Sequence, residues 1–129
     1  MIYTLGTSNR KEEEFIGILK EKGIKLVIDI RRFPTSKFEH FKRKNLARIL
    51  KQNSIDYLWL GDKLGGFRKG GYENYMKQRE FKEGIQEVRR YAERYNLVLI
   101  CCERNPAYCH RRFVAQALRE IGEEVEDLI

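Results

Sequence analysis

Cysteine, proline and long apolar runs are all scarce in this sequence of 129 residues. Its 3 cysteines, two of them adjacent, do not make the even-numbered disulfide framework of a small secreted protein. No apolar run approaches the roughly 20 residues that a membrane-spanning helix needs, and the first residues lack the basic-then-apolar order of a signal peptide. These absences predict a cytoplasmic protein without membrane partners, and the length predicts a single domain over residues 1–129.

Three familiar functional patterns are missing as well. The chain has no G-x-x-x-x-G-K-[ST] phosphate loop and no C-x₂-C zinc spacing. It also has no C-x₅-R pattern, because Tyr108 stands six positions after Cys102. Zinc accepts the side chains of Cys101, Cys102, Cys109 and His110, but adjacent strand residues point to opposite faces, so Cys101 and Cys102 cannot both reach one ion without distortion. We therefore expect no metal and no cofactor.

Positive charge is what the chain has in excess, a net +7 that is concentrated in three segments. Residues 31–44 carry a net +5, residues 61–72 and 101–112 carry +2 each, and the remainder of the chain is therefore −2. A surface with 35% charged residues can be merely well solvated. Charge gathered in this way favours an anionic partner, either nucleic acid or a phosphate-bearing small molecule.

Strand patterns alternate with helical patterns along the chain. The predicted strands are residues 2–5, 25–30, 57–60, 97–102 and a short fifth at 125–129. The first predicted helix follows a capping box of Asn9 and Glu12 and runs to residue 22. The other predicted helices are residues 45–52, 80–95 and 108–121. This order predicts an α/β fold: a three-layer sandwich with a mostly parallel sheet of four or five strands, of the Rossmann or flavodoxin type. Ligands of such sheets bind beyond the carboxyl ends of the strands, and all three basic segments follow such an end.

The densest group of reactive residues is C-C-E-R-N-P-A-Y-C-H-R-R at 101–112, which we expect to form a strand end, a turn and a helix start. Cys109, beside His110 and Arg111 at a helix N-terminus, is a candidate nucleophile because these neighbours lower the pKa of a thiol. The same exposed N–H groups and arginines also suit a phosphate ion. A cysteine packed under the helix, with the arginines in solvent, is the third interpretation.

Two carboxylates follow predicted strands, and a glycine-rich segment lies between them. Asp29, near Arg31, is either a catalytic group or half of a structural ion pair. Glu103 offers a second carboxylate for acid–base chemistry or for magnesium. Five glycines between residues 61 and 71 predict one long loop. Its segment L-G-G-F-R-K-G-G-Y at 64–72 suits either close approach to a ligand or simple flexibility. Two aromatic residues of this segment, Phe67 and Tyr72, and Tyr75 just after it are candidates for stacking on bases.

Four motifs together resemble one family over nearly the whole chain. They are T-L-G-T-S-N-R at 4–10, D-I-R-R-F-P-T-S at 29–36, L-G-G at 64–66 and C-C-E-R-N-P-A-Y-C-H-R at 101–111. In this order they are similar to domain-of-unknown-function family 488, which supplies no reaction. Members commonly carry histidine where this chain has Thr7, so one possible acid–base group is absent here. The resemblance implies one site formed by Ser8, Asn9, Arg10, Asp29, Arg31, Pro34, Glu103, Pro106, Cys109, His110 and Arg111.

The leading hypothesis is an enzyme acting on a phosphate-bearing substrate, either nucleic acid or a nucleotide. The candidate anion-binding residues are Ser8, Asn9, Arg10, Arg31, Arg68 and Arg111, and the candidate catalytic residues are Asp29, Glu103, Cys109 and His110. The alternatives are a non-catalytic nucleic-acid-binding module and a thiol-dependent enzyme that uses Cys109.

Overall fold

The secondary-structure elements follow the alternation that the sequence predicts. The structure is a computed structural model that describes residues 1–129. The strands are β1 (Ile2–Gly6), β2 (Leu26–Asp29), β3 (Asp56–Trp59), β4 (Leu97–Cys101) and β5 (Val125–Asp127). The helices are α1 (Glu12–Glu21), α2 (Arg43–Gln52), α3 (Gly61–Leu64), α4 (Tyr72–Tyr75), α5 (Arg79–Ala92) and α6 (Arg111–Glu120), with 3₁₀ turns at Glu39–Phe41 and Pro106–Tyr108. No helix is long and apolar enough to cross a membrane.

The five strands form one parallel sheet in the order β3-β2-β4-β1-β5, with apolar layers on both faces. Val27, Val98 and Ile100 pack against residues of α1 and α2. Ile28 and Leu99, which alternate with them along the strands, pack against residues of α5 and α6. This alternation is the two-residue period of strands that are buried on both faces. The predicted three-layer α/β sandwich is confirmed.

The strand order opens a crevice between β2 and β4. The chain leaves β2 through α2 toward β3 at one edge, whereas it leaves β4 through α6 toward β5 at the other edge. The loops after these two neighbouring strands therefore diverge, and α2 and α6 lie on opposite faces of the sheet. Such a reversal of strand order is where open parallel sheets bind their ligands.

Three local predictions are wrong. The first helix begins at Glu12 after Lys11 without a side-chain cap, and the side-chain oxygen of Asn9 instead accepts a hydrogen bond from Arg104 at 3.1 Å. Residues 61–71, expected to be one long loop, begin with the single helical turn α3. The last helix begins at residue 111, not 108, because the chain first makes the 3₁₀ turn that starts with proline. Each error lies in a segment that is shaped by its contacts with other loops.

The loops after β1 and β4 run so close together that position 6 has room only for glycine. A Cβ atom on Gly6 would overlap the carbonyl group of Glu103. The two loops are held side by side by main-chain hydrogen bonds, such as that from Thr7 N–H to the carbonyl of Cys101 at 2.7 Å.

Gly6→Ala is expected to lower the free energy of unfolding by about 1–3 kcal/mol, because the backbone at Glu103 must move to admit a methyl group. Gly17→Ala is the matched control, since a Cβ atom at that exposed position of α1 meets nothing within 4 Å. It is expected to raise the free energy of unfolding by about 0.5–1 kcal/mol. Urea unfolding monitored by circular dichroism measures both values. A Gly6→Ala protein as stable as the wild type would contradict this close approach.

Candidate functional site

The crevice between β2 and β4 contains a cavity of about 440 Å³. This volume lies within the range of about 300–1,000 Å³ that is typical of small-molecule sites. Its walls come from the loops after β2 and β4, from the segment between α3 and α4, and from the residues before α6. The lining residues are Arg31, Arg32, Phe33, Gly66, Phe67, Arg68, Tyr72, Cys101, Cys102, Glu103, Tyr108, Cys109 and His110. Three arginines against one glutamate give this lining a net charge of +2 when His110 is neutral.

Asp29 and Arg31 form a fully buried ion pair at the end of β2. Asp29 has no exposed surface, and its carboxylate accepts from Arg31 Nε at 2.8 Å and Nη2 at 2.7 Å. A third bond comes from the Tyr57 hydroxyl at 2.6 Å. Arg31 uses its remaining terminal nitrogen to donate to the carbonyl of Phe41 at 2.7 Å. Asp29 thus lies beneath the cavity and positions Arg31, which lines it.

The electrostatic environment of this pair reinforces its bonding. Burial raises the pKa of the Tyr57 hydroxyl, and the neighbouring charge of Asp29 raises it further, so Tyr57 remains a hydrogen-bond donor. Burial alone would lower the pKa of Arg31, but the hydrogen bonds and charge of Asp29 outweigh it and the pKa is raised. Both side chains are therefore held in the protonation states that the network requires.

Arg10 and Arg111 are buried and bonded to the protein itself. Arg10 is 2% exposed and donates from Nε to the carbonyl of Gly6 at 2.9 Å. Arg111 has no exposed surface and donates to the Thr4 hydroxyl at 3.1 Å and to the carbonyl of Arg104 at 2.7 Å. Burial, and in smaller part the charge of Arg10, lowers the pKa of Arg111. Both guanidinium groups brace the loops that follow β1 and β4.

Arg68 has a similar bracing role in the glycine-rich segment. Its guanidinium donates to the carbonyls of Gly65 at 2.9 Å and Asp62 at 2.6 Å. It also lies 4.0 Å from the centre of the Tyr75 ring. Tyr75 itself is buried, and its hydroxyl donates to the carbonyl of Lys63 at 2.6 Å. Arg68 thus fixes the loop on one side of the cavity and contributes its charge to the lining.

Two cysteines and a histidine meet at the floor of the cavity. The sulfur atoms of Cys101 and Cys109 are paired as a disulfide, with 7.1 Å between the Cα atoms. His110 Nδ1 lies 3.9 Å from Cys109 Sγ, while its Nε2 is 2.9 Å from the carbonyl of Ile30. Because a carbonyl only accepts, Nε2 carries the proton and Nδ1 presents its lone pair to the sulfurs. Burial, together with the charge of Arg68, lowers the pKa of His110 although the bond to Ile30 opposes the shift.

The neighbouring residues Cys102 and Glu103 are exposed at the mouth. Cys102, expected inside the strand, lies just beyond the end of β4 and is exposed, whereas Cys101 is buried. Burial of its thiol raises the pKa of Cys102, opposed by the nearby charge of Arg31. Glu103 is exposed and has no hydrogen bond to another side chain. It is therefore a solvated carboxylate on the wall of the cavity.

The structure brings some predicted site residues together and separates others. The cavity unites Arg31, Arg68, Glu103, Cys109 and His110. Ser8, Asn9, Arg10 and Arg111 lie at the same end of the sheet but outside the lining. The lining also includes Cys101, Arg32, Phe33 and Tyr108, which the sequence motifs did not predict as site residues. An aromatic residue within a basic loop, as at Phe33 and Tyr108, is the sequence feature that could have indicated two of them.

Fold and site together define a parallel-sheet α/β protein whose basic, cysteine-containing pocket lies where the strand order reverses. The chain belongs to the family described as Domain of unknown function DUF488, whose model matches residues 11–118. Three of the four motifs lie within that match, and the motif at 4–10 precedes it. No curated protein and no solved structure matches the chain.

Asp29→Asn is expected to lower the free energy of unfolding by about 3–5 kcal/mol, because it leaves the buried charge of Arg31 without its counterion. The conservative control is Glu83→Gln, which changes an exposed pair with Arg79 and is expected to cost about 0–1 kcal/mol. Guanidinium chloride unfolding of each variant measures the difference. Equal losses from the two substitutions would show that the Asp29–Arg31 pair is not an anchor.

Proposed function

We propose that this protein is an enzyme that binds a nucleotide, free or as part of a single-stranded nucleic acid, in the cavity between β2 and β4. The rim of the cavity carries this proposal. Three aromatic side chains are largely exposed, Phe33 by 62%, Phe67 by 84% and Tyr108 by 78%, and all three line this one cavity. Exposed rings beside basic groups are typical of surfaces on which bases stack.

Phe33 and Phe67 belong to different loops and form one platform. Their ring centres are 6.0 Å apart. Arg32 joins the two loops, since it lies 5.6 Å from the centre of the Phe33 ring and donates to the carbonyl of Phe67 at 2.5 Å. This geometry supports a base stacked on the rim with its phosphate near Arg32.

Charge supports the same class of ligand. Because the charge of Arg31 is paired with Asp29, Arg32 and Arg68 against Glu103 leave the lining a net +1 that attracts an anion. Arg10, Arg68 and Arg111 each donate at least two hydrogen bonds within the protein, whereas Arg32 donates only one, to the carbonyl of Phe67. Arg32 is therefore the candidate for direct contact with the phosphate. In this proposal, the affinity for the ligand therefore depends on stacking of its aromatic ring as much as on its phosphate.

His110 and Glu103, which line the cavity below the aromatic rim, are the catalytic groups in this proposal. His110 is neutral at physiological pH and presents an unprotonated Nδ1, so it can accept a proton. Glu103 supplies a carboxylate on the wall of the same cavity.

Phe67→Ala is expected to weaken binding of a short fluorescein-labelled single-stranded oligonucleotide by about 1–3 kcal/mol, the usual contribution of one stacked base. Fluorescence anisotropy measures the affinity. Ile129→Ala is the control, because Ile129 is 78% exposed but lies outside the cavity. Equal affinity of the wild type and the Phe67→Ala protein would contradict base stacking at the rim, and absence of binding at low salt would overturn the proposal.

The salt dependence of binding is expected to locate the phosphate contact. For single strands, the logarithm of the association constant falls with the logarithm of salt concentration by about 0.7 per phosphate contacted. Arg32→Ala is expected to reduce this slope by about 0.7, whereas Arg94→Ala, an exposed arginine just before the amino end of β4, leaves it unchanged. A slope reduced equally by both substitutions would indicate diffuse charge attraction instead of a site.

Thiol–disulfide chemistry is a second candidate function, favoured by the pairing of Cys101 with Cys109. Both residues line the cavity, but they are only 1% and 9% exposed, so a partner thiol must enter the cavity to reach them. Alkylation followed by mass spectrometry, with and without prior reduction, tests this candidate. Complete alkylation of the denatured protein without reductant would contradict it.

A further inference from the structure

We propose that the reduced protein binds a divalent transition metal ion, best matched by zinc, through Cys101, Cys109 and His110. One ligand atom from each of these residues lies within 4.8 Å of the other two. Zinc bonds to sulfur at about 2.3 Å and to nitrogen at about 2.0–2.1 Å, which places tetrahedral ligands roughly 3.5–3.8 Å apart. The two sulfurs are paired in this structure, so reduction and rotation of the cysteine side chains must bring them apart before both can bind one ion.

His110 is already oriented as a metal ligand. Its Nε2–H donates to the main-chain carbonyl of Ile30 at 2.9 Å, so the lone pair of Nδ1 is directed toward Cys109 Sγ. Metal-binding histidines almost always hold their second ring nitrogen in this way, which fixes both tautomer and ring orientation. A histidine that was merely packed in the wall would not need this combination.

The backbone spacing of the two cysteines also suits an intervening ion. Their Cα atoms are 7.1 Å apart, beyond the range of about 4.4–6.8 Å that disulfides usually span. An ion between the sulfurs lengthens the bridge and accommodates that spacing without a shift of either backbone. Cys101 is the last residue of β4, and Cys109 lies between the 3₁₀ turn Pro106–Tyr108 and α6.

Charge balance favours the complex. Two thiolates, one neutral histidine and one divalent cation sum to zero, so the cluster can be buried without an uncompensated charge. Metal binding then releases the thiol protons to solvent.

The cluster leaves one coordination position open. Three protein ligands with a free fourth position are typical of catalytic zinc sites, whereas structural sites use four. All three residues line the cavity, so the open position faces the space where a water molecule or a substrate atom can bind. Metal binding can be measured without any substrate, so this inference is tested independently of the nucleotide proposal. In the metal-bound form the ion occupies the Nδ1 lone pair of His110, so His110 is then a ligand and not a proton acceptor.

The structure also revises the reason for expecting no metal. Cys102 lies just beyond the end of β4 and is absent from the cluster. Cys109, from the turn before α6, supplies the second sulfur. Cys102 thereby becomes the matched control for both ligand cysteines.

The test uses the full chain, purified under reducing conditions and titrated with Co²⁺ and Zn²⁺. We expect about one ion per chain in the wild type and in Cys102→Ser, with the intense near-ultraviolet absorption of cobalt–thiolate bonds. Cys109→Ser and His110→Gln are each expected to weaken the affinity by at least about tenfold. Wild type that shows no cobalt–thiolate absorption, or equal losses from Cys102→Ser and Cys109→Ser, would overturn the proposal.

Thiol protection provides a readout on the wild type alone, so the result does not depend on whether a variant folds. In the zinc-loaded protein, an alkylating reagent is expected to label Cys102 first, and a chelator is expected to speed the labelling of Cys109, which lines the cavity and is 9% exposed. Burial alone also slows labelling, so the zinc-loaded and chelated reduced proteins are compared at the same reagent concentration, and equal rates at Cys109 would overturn the inference. Protection that persists after chelation and disappears with a reductant would show a disulfide instead. Equal labelling of all three cysteines with zinc present would also overturn the inference.

Discussion

The buried pair of Asp29 and Arg31 determines the shape of the end of the sheet at which the cavity lies. An unpaired charge at this depth would cost several kcal/mol, so the Arg31 side chain must fold back onto the strand end that carries Asp29. The backbone at Arg32 and Phe33 follows and forms one wall of the cavity. Arg31 also holds the carbonyl of Phe41, which ties the approach to α2 to the same point.

Arginine has a second use throughout this region, as a donor to loop carbonyls. Loops without regular structure leave main-chain acceptors unsatisfied, and one guanidinium can serve several of them. Arg10 does so at the carbonyl of Gly6, Arg68 at that of Gly65 and Arg111 at that of Arg104. The basic charge that indicated an anionic partner therefore also has a structural cause. Its field still reaches the cavity, since the charges are retained.

The topology separates the site into a floor and a rim. The floor is built on β4 and the start of α6, where Cys101, Cys109 and His110 are held by the sheet and by a main-chain hydrogen bond. The rim is built on loops, where Phe33 and Phe67 are largely exposed. Rigid chemical groups beneath adaptable aromatic groups are well suited to a ligand whose reactive atom must be placed accurately while its ring is held by stacking.

The sequence by itself determined the α/β class, the family and the end of the sheet where chemistry-bearing residues gather, because periodicity and strand-following motifs are local properties of the chain. Only the tertiary structure decided that β2 lies between β3 and β4. Phe33, which follows β2, therefore shares one rim with Phe67, which follows β3, and with Tyr108, which follows β4. The same packing paired Cys109 with Cys101 and bound most of the predicted phosphate-binding arginines to carbonyls. These outcomes depend on contacts between residues far apart in the chain, which the order of residues does not specify until strand order is known.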